Sequence, residues 1–288
     1  MSSFGLTPQQ RRFLHTFGYL HLRGLLADAI DGVRAGFERL LTKNGGAGYA
    51  GEHRFTISPG INWSEDLCRD FLDAPQVDGV LSSVLGSDYQ YWNSELSYCA
   101  GDTPWHSDSP WPEDRRTPSW YELLVYLDPL TAETGALRVL PGSHLVQDAF
   151  ASLFHRGIMD ETESALADPS HAWGVVAPEV PAVALPSVPG DVILLNHMTA
   201  HASFGGVARR RLMTAVFFPR LDDTEIHQLV EANRRRGFTR RHLFDDGAPI
   251  LRTASPRRLS HLEQLLAHTA DDADVLRTLL GVSKATRR

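Results

Sequence analysis

Two stretches of this 288-residue chain carry side chains whose types and spacing suit metal chemistry. The first is "PWHSDSPW", residues 104–111, in which His106 and Asp108 stand one residue apart. In an extended strand positions i and i+2 share a face, so both side chains can converge on one point. The second is "PGDVILLNHMTAHAS", residues 189–203, where an apolar run leads to His197 and His201. Two histidines and one carboxylate that leave further coordination positions open form the facial triad of non-haem Fe(II) oxygenases. A His-x-Asp pair alone reads equally well as a polar turn, so the surroundings must decide.

Those side chains need strands to hold them. From about residue 89 the chain breaks into short runs rich in β-branched and aromatic residues: "YQYWNSELSYC", "WYELLVYLDPL", "GALRVLPGSH", "PAVALPSVPGDVILLN" and "RLMTAVFFP". Pro and Gly turn signals separate them, which predicts an all-β core of the barrel or jelly-roll kind over about 89–220. Helices flank it. "LTPQQRRFLHTFG" has Thr7 as N-cap, Pro8 at the first helical position, Gln10 to close a capping box and Gly18 to stop the helix. "YLHLRGLL" follows as a short strand. Ile30, Val33, Phe37, Leu40 and Leu41 recur at helical spacing, so 27–42 is an amphipathic helix. "TKNGGAGYAGEH" reads as a glycine-rich loop and 145–178 as a polar, helical insertion. After Pro219 helical periodicity returns in "TEIHQLVEANRRR", "LSHLEQLLAHT" and "ADVLRTLLG". The expectation is a single domain over 1–288, with helical parts at 7–45 and 222–282.

Composition excludes several classes. The chain is 42% hydrophobic and 22% charged, as soluble globular proteins are. No run of 18 apolar residues exists to span a membrane. "MSSFGLTPQQRRF" lacks the apolar core of a secretory signal, so a cytoplasmic location is expected. Cys68 and Cys99 are too few for a disulfide framework and read as free thiols. A net charge of −7 argues against a nucleic-acid partner. Of the 28 Lys and Arg residues only Lys43 and Lys284 are lysine, the mark of a GC-rich genome.

Taken together, these motifs resemble the phytanoyl-CoA dioxygenase family of Fe(II)/2-oxoglutarate oxygenases. "LTPQQRRFLHTFGYLHLRGLL" is similar to that family's opening helix and strand. "SELSYCAGDTPWHSDSPW" resembles its first metal-ligand region, "LDPLTAETGALRVLPGSH" its central hairpin and "PGDVILLNHMTAHAS" its distal-histidine segment. The likeness runs from about residue 6 to 220, in the family's order. It implies a double-stranded β-helix core and the cofactor set Fe(II), 2-oxoglutarate and O₂. It also implies His106, Asp108 and His201 as metal ligands and catalytic centre. His201 is preferred to His197 because a serine follows it closely. His197 reads as a strand-end residue bonded to backbone, and His144 as a stabiliser of the PGSH turn.

The resemblance further implies an arginine for the distal carboxylate of 2-oxoglutarate, since a planar guanidinium donates two parallel hydrogen bonds. Leu212 falls where the family has that arginine, so the loop reads one residue short. Arg211 is the choice and Arg210 the rival, because strand alternation lets only one of them point inward. Ser203 is expected to add a hydroxyl to the same carboxylate. Asn93 and Ser97, on one face of the strand before His106, are expected to line the cosubstrate or substrate pocket. The implied reaction releases succinate and CO₂ and hydroxylates an unactivated C–H bond. Related halogenases have a small residue in place of Asp108, so hydroxylation is expected, with desaturation, cyclisation and epimerisation as other outcomes.

The expected partner is a small molecule, with acyl-CoA, free amino acids, phosphonates and secondary metabolites all open, and the arginine-biased composition suggests a bacterial biosynthetic tailoring role. Trp105, Trp111, Trp120 and Tyr121 flank the metal strand and suit core or substrate packing. The 145–178 insertion and the helices carrying Arg234, Arg235, Arg236, Arg240 and Arg241 are candidates for a lid or, more simply, a solvated face. Two readings of other classes stand beside this one: a cupin-like metal enzyme without 2-oxoglutarate, and a non-catalytic binding module. The first has no need of the arginine, the second none of an open triad.

Overall fold

A computed structural model describes residues 4–46, 54–108, 120–145, 169–206, 210–235 and 247–269. Helix α1 spans Pro8–Phe17 and ends as its sequence predicts. The Gln10 N–H donates to Thr7 Oγ1 at 3.2 Å and the Thr7 N–H to Gln10 Oε1 at 2.9 Å, which closes the capping box. Gly18, at φ 81°, turns the chain into strand β1, Tyr19–Leu22. Helix α2 spans Ile30–Lys43 and buries the predicted stripe of Ile30, Val33, Phe37, Leu40 and Leu41. Residues 61–85, to which the sequence reading assigned nothing, form short helical turns and helix α3, Pro75–Leu85. Val77, Val80, Leu81 and Leu85 carry its helical spacing, and they share one core with α2.

Among the described residues, ten antiparallel strands make two sheets. After β1 come β2 (Phe55–Ile57), β3 (Gln90–Cys99), β4 (Thr103–His106), β5 (Tyr121–Tyr126) and β6 (Leu137–Val139). Then follow β7 (Val183–Leu185), β8 (Val192–Asn196), β9 (His201–Ser203) and β10 (Arg210–Phe218). The larger sheet runs β1-β8-β5-β10-β3-β2 and the smaller β4-β9-β6-β7. This is the expected double-stranded β-helix with flanking helices.

The larger sheet has two unlike faces, and the period of two decides which residue meets which. Met213, Ala215 and Phe217 of β10 and Leu96 and Tyr98 of β3 join the core shared with the helices. The alternate residues, Arg210, Leu212, Thr214 and Val216 of β10 with Asn93, Glu95 and Cys99 of β3, line a cavity against the smaller sheet. The helical layer thus stiffens a sheet whose other side is free for chemistry.

At the C-terminal end, helices α4 (Asp223–Arg235), α5 (Pro249–Arg252), α6 (Pro256–Ser260) and α7 (Glu263–Thr269) meet the expectation of helical structure. "ADVLRTLLG", most of the 145–178 insertion, Trp111 and Arg236, Arg240 and Arg241 lie outside the described residues. No helix among the described residues is long and apolar enough to cross a membrane.

Candidate metal centre and cosubstrate pocket

His106 ends β4 and His201 opens β9, and the ladder sets them directly opposite each other. Their ring centroids are 4.2 Å apart. Each ring points its Nδ1 at the carbonyl two residues back, Pro104 at 2.8 Å and Thr199 at 2.9 Å. A carbonyl can only accept, so Nδ1 carries the proton and Nε2 keeps its lone pair. Both Nε2 atoms then face Asp108, His106 at 3.6 Å from Oδ1 and His201 at 3.6 Å from Oδ2. Donors bound to one metal at right angles, each at ~2.0–2.2 Å, stand ~3 Å apart, so a small contraction closes the set. Burial pushes the His106 imidazole down to about 4, with the neighbouring His201 adding to the shift. A neutral imidazole is the form a metal takes. Burial alone would raise the Asp108 carboxyl, but the neighbouring His201, His197 and His106 side chains, together with a hydrogen bond from Glu122, hold it down.

His197 corrects one expectation. Its backbone is bonded as expected, the N–H to Trp120 O and the C=O from Asp108 N, both at 3.0 Å. Its ring, however, lines the cavity, with Nε2 4.0 Å from Asp108 Oδ2. Glu122 on β5 completes this second layer, and the sequence reading missed it. Its carboxyl bonds Thr214 and Asp108, and burial, then the charge of Asp108, drive its proton affinity well above the usual carboxylate range. A protonated Glu122 donates to Asp108 and orients it. The signal was present: one acidic residue in the apolar run "YELLVY", on the strand's cavity face.

The two adjacent arginines separate as alternation requires, but not in the expected sense. Arg210 faces the cavity and Arg211 does not. Arg211 donates to Glu38 at 2.8 Å and to both oxygens of Asp128, tying β10 to α2 and to the turn after β5. The choice of Arg211 is therefore corrected: its guanidinium lies on the far side of the sheet. Arg210 is 2% exposed. Its Nη1 donates to Gly135 O at 2.6 Å and Ser203 Oγ at 3.1 Å, and its Nη2 to Gly101 O at 2.7 Å. Its Nε is buried without a partner, and among the described residues the guanidinium bonds only neutral oxygens and no carboxylate. A buried cation held only by neutral acceptors calls for an anion. Gly135 and Gly206 make the room: a Cβ on them would sit 2.0 Å and 2.7 Å from the Arg210 nitrogens.

Ser203 and Asn93 line the cavity. Ser97 does not. It is on the cavity face, but Thr56 Oγ1 at 2.8 Å and Arg54 Nε at 3.3 Å cover its hydroxyl. Trp105 is core, fully buried with its indole N–H on Ala177 O at 2.9 Å. Trp120 stacks on Phe218 at 4.9 Å, and Trp92 lines the cavity. His144 holds the PGSH turn to α1 through His15 O at 3.0 Å. The cavity that joins His106, Asp108, His201, Arg210, Ser203 and Asn93 is about 360 Å³.

Fold and cavity together define a class, the double-stranded β-helix enzymes that use iron and 2-oxoglutarate, oxygenases and their relatives. Within it the chain belongs to the phytanoyl-CoA dioxygenase (PhyH) family, whose model matches residues 14–211. L-proline trans-4-hydroxylase of Streptomyces griseoviridis is 26% identical over 116 residues, 38% of this chain and 40% of that protein. The match therefore spans less than half of that relative. Among solved structures, the alpha-ketoglutarate-dependent carbocyclase SnoK from nogalamycin biosynthesis superposes with a TM-score of 0.58 at 22% identity, over 79% of this chain and 92% of SnoK. HygX from Streptomyces hygroscopicus, with nickel and 2-oxoglutarate bound, gives 0.54 at 19% identity, over 75% of this chain and 88% of HygX. At these identities the likeness is one of fold.

Proposed function

We propose that this protein is an Fe(II)- and 2-oxoglutarate-dependent dioxygenase that hydroxylates an unactivated C–H bond of a small molecule. The carrying observation is Arg210, a buried guanidinium without a carboxylate partner among the described residues, in the same cavity as an open His/Asp/His set. His106, Asp108 and His201 hold the iron through Nε2, a carboxylate oxygen and Nε2. Arg210, with Ser203 beside it, takes the distal carboxylate of 2-oxoglutarate. Asn93 belongs to the substrate side of the cavity.

Iron bound there supplies the decarboxylation of 2-oxoglutarate by O₂ to succinate and CO₂, with the second oxygen atom entering the C–H bond. The chain's own groups do the rest. The Nδ1–H bonds to Pro104 and Thr199 fix both imidazoles in the tautomer a metal needs. Glu122 holds the Asp108 carboxylate from behind. Asp108 itself fills the position that halide would take in a halogenase. A proline hydroxylase among the relatives supports hydroxylation, while a carbocyclase among the structural neighbours marks ring closure as the other outcome of this fold.

The test is anaerobic addition of 2-oxoglutarate to the Fe(II)-loaded protein. A weak visible charge-transfer band is expected, with slow succinate formation once air is admitted. If iron binds and 2-oxoglutarate produces neither, the reading fails in favour of a metal enzyme that does not use it.

A further inference from the structure

The cavity holds a second guanidinium that the cosubstrate does not need. Arg54 lies just before β2, whose Thr56 pairs with Ser97 in the ladder. Residues 54 and 56 share a face, so the Arg54 side chain lies over the cavity face of β3. Its Nε donates to Thr56 Oγ1 at 3.2 Å and Ser97 Oγ at 3.3 Å, and its Nη2 to Glu95 Oε2 at 2.9 Å. Among the described residues Nη1 donates to nothing. The Arg54 and Glu95 side chains are 45% and 40% exposed, yet both line the cavity. Arg54 is also close enough to His106 to disfavour its protonation.

An ion pair this exposed is weak, so a ligand can part it at small cost. The pair also selects what parts it. An anion that approaches Arg54 meets the repulsion of Glu95, and a cation at Glu95 meets that of Arg54. A molecule with both charges, as close together as in an α-amino acid, satisfies both ends at once. The route from the pair to the metal is short. Glu95 stands opposite Thr214 in the ladder, and Glu122 bonds both Thr214 and Asp108. A cavity of about 360 Å³ is at the small end of the ~300–1,000 Å³ range of ligand sites. It must also hold 2-oxoglutarate, which leaves room for a small molecule and too little to enclose a coenzyme A thioester.

We propose that Arg54 and Glu95 are the recognition pair for a zwitterionic substrate, a free α-amino acid, whose carboxylate meets Arg54 and whose ammonium meets Glu95. The proposal rests on the dioxygenase reading above and names its substrate class.

The experiment measures succinate release from the iron-loaded enzyme with each of the proteinogenic L-amino acids, their methyl esters and their N-acetyl derivatives. At least one free amino acid is expected to raise release above the substrate-free rate. Its ester and its N-acetyl derivative should each lose tenfold or more in kcat/KM. Arg54→Gln should erase the preference for acid over ester, and Glu95→Gln the preference for amine over N-acetyl, with the KM for 2-oxoglutarate unchanged. The same amino acid should raise the Tm of the Ni(II)- and 2-oxoglutarate-loaded protein, and Arg54→Gln should remove that shift. The proposal is overturned if no free amino acid stimulates release, or if the preferences survive both substitutions. Loss of the anaerobic charge-transfer band would instead sink the dioxygenase reading itself, so the two failures are distinguishable.

Discussion

Arg210 and Arg211, neighbours in sequence, leave β10 on opposite faces of the larger sheet. One enters the cavity beside Ser203, and the other crosses the helical side to Asp128 and Glu38. Removing a partner from a buried charge-assisted pair costs roughly 2–5 kcal/mol. Arg210→Ala should therefore raise the KM for 2-oxoglutarate by ~30-fold or more, at ~1.4 kcal/mol per decade. Arg211→Ala should leave that KM alone and lower stability by about 1–3 kcal/mol, through lost bonds to charged groups. Succinate kinetics and urea unfolding separate the two. A large KM effect at Arg211 and none at Arg210 would contradict the assignment.

Substitution of His106, Asp108 or His201 by Ala should abolish turnover and iron binding while the fold persists, because these side chains serve an open site and not the core. His197→Ala should retain iron. Metal content after anaerobic loading checks this directly. An iron-free His197 variant beside an iron-replete His201 variant would move the distal ligand to His197.

Glu122 should act through Asp108. Glu122→Gln keeps a donor to the carboxylate and should keep iron affinity within a few-fold. Glu122→Leu removes the donor and should weaken iron by ~10–100-fold, the usual cost of losing a partner of a metal ligand. Competition with a chelator measures it, and equal affinities for the two variants would rule the role out.

Acid should destabilise the metal-free protein. His106 titrates near 4 when folded and near 6.5 when unfolded, so between these values the unfolded chain binds more protons. Stability is then full above about pH 6.5 and falls as pH drops toward 4. His21, His144, His197 and His261 are shifted down by burial as well and act in the same direction. The shift of His106 alone is worth about 3 kcal/mol at 1.36 kcal/mol per pH unit. A Tm lower by ~6–12 °C at pH 4 than at pH 7 is expected. A flat Tm profile over that range would show that these histidines titrate freely in the fold.

Gly135→Ala should reproduce part of the Arg210 defect at a distance from the metal. The new Cβ would meet the Arg210 guanidinium, and the backbone at φ 96° disfavours any side chain. A raised KM for 2-oxoglutarate with normal iron content is the expected pair of results.

The sequence by itself marked most of the elements and the His106, Asp108 and His201 set. Local chemistry sets them: the capping box of Thr7 and Gln10, the helical stripe from Ile30 to Leu41, and the i, i+2 spacing that aims His106 and Asp108 at one point. The order of motifs carried the family. Which of Arg210 and Arg211 faces inward was a different kind of question. Alternation says that one of them does, but the phase comes from pairing with β3 and β5, and pairing is a property of the assembled sheet. The same holds for Ser97, on the cavity face yet covered by Thr56 and Arg54. The place of Arg54 at the cavity, and the contacts of Glu122 and His197 with Asp108, emerged only when distant segments met, because burial and neighbouring charge, not residue type, set them.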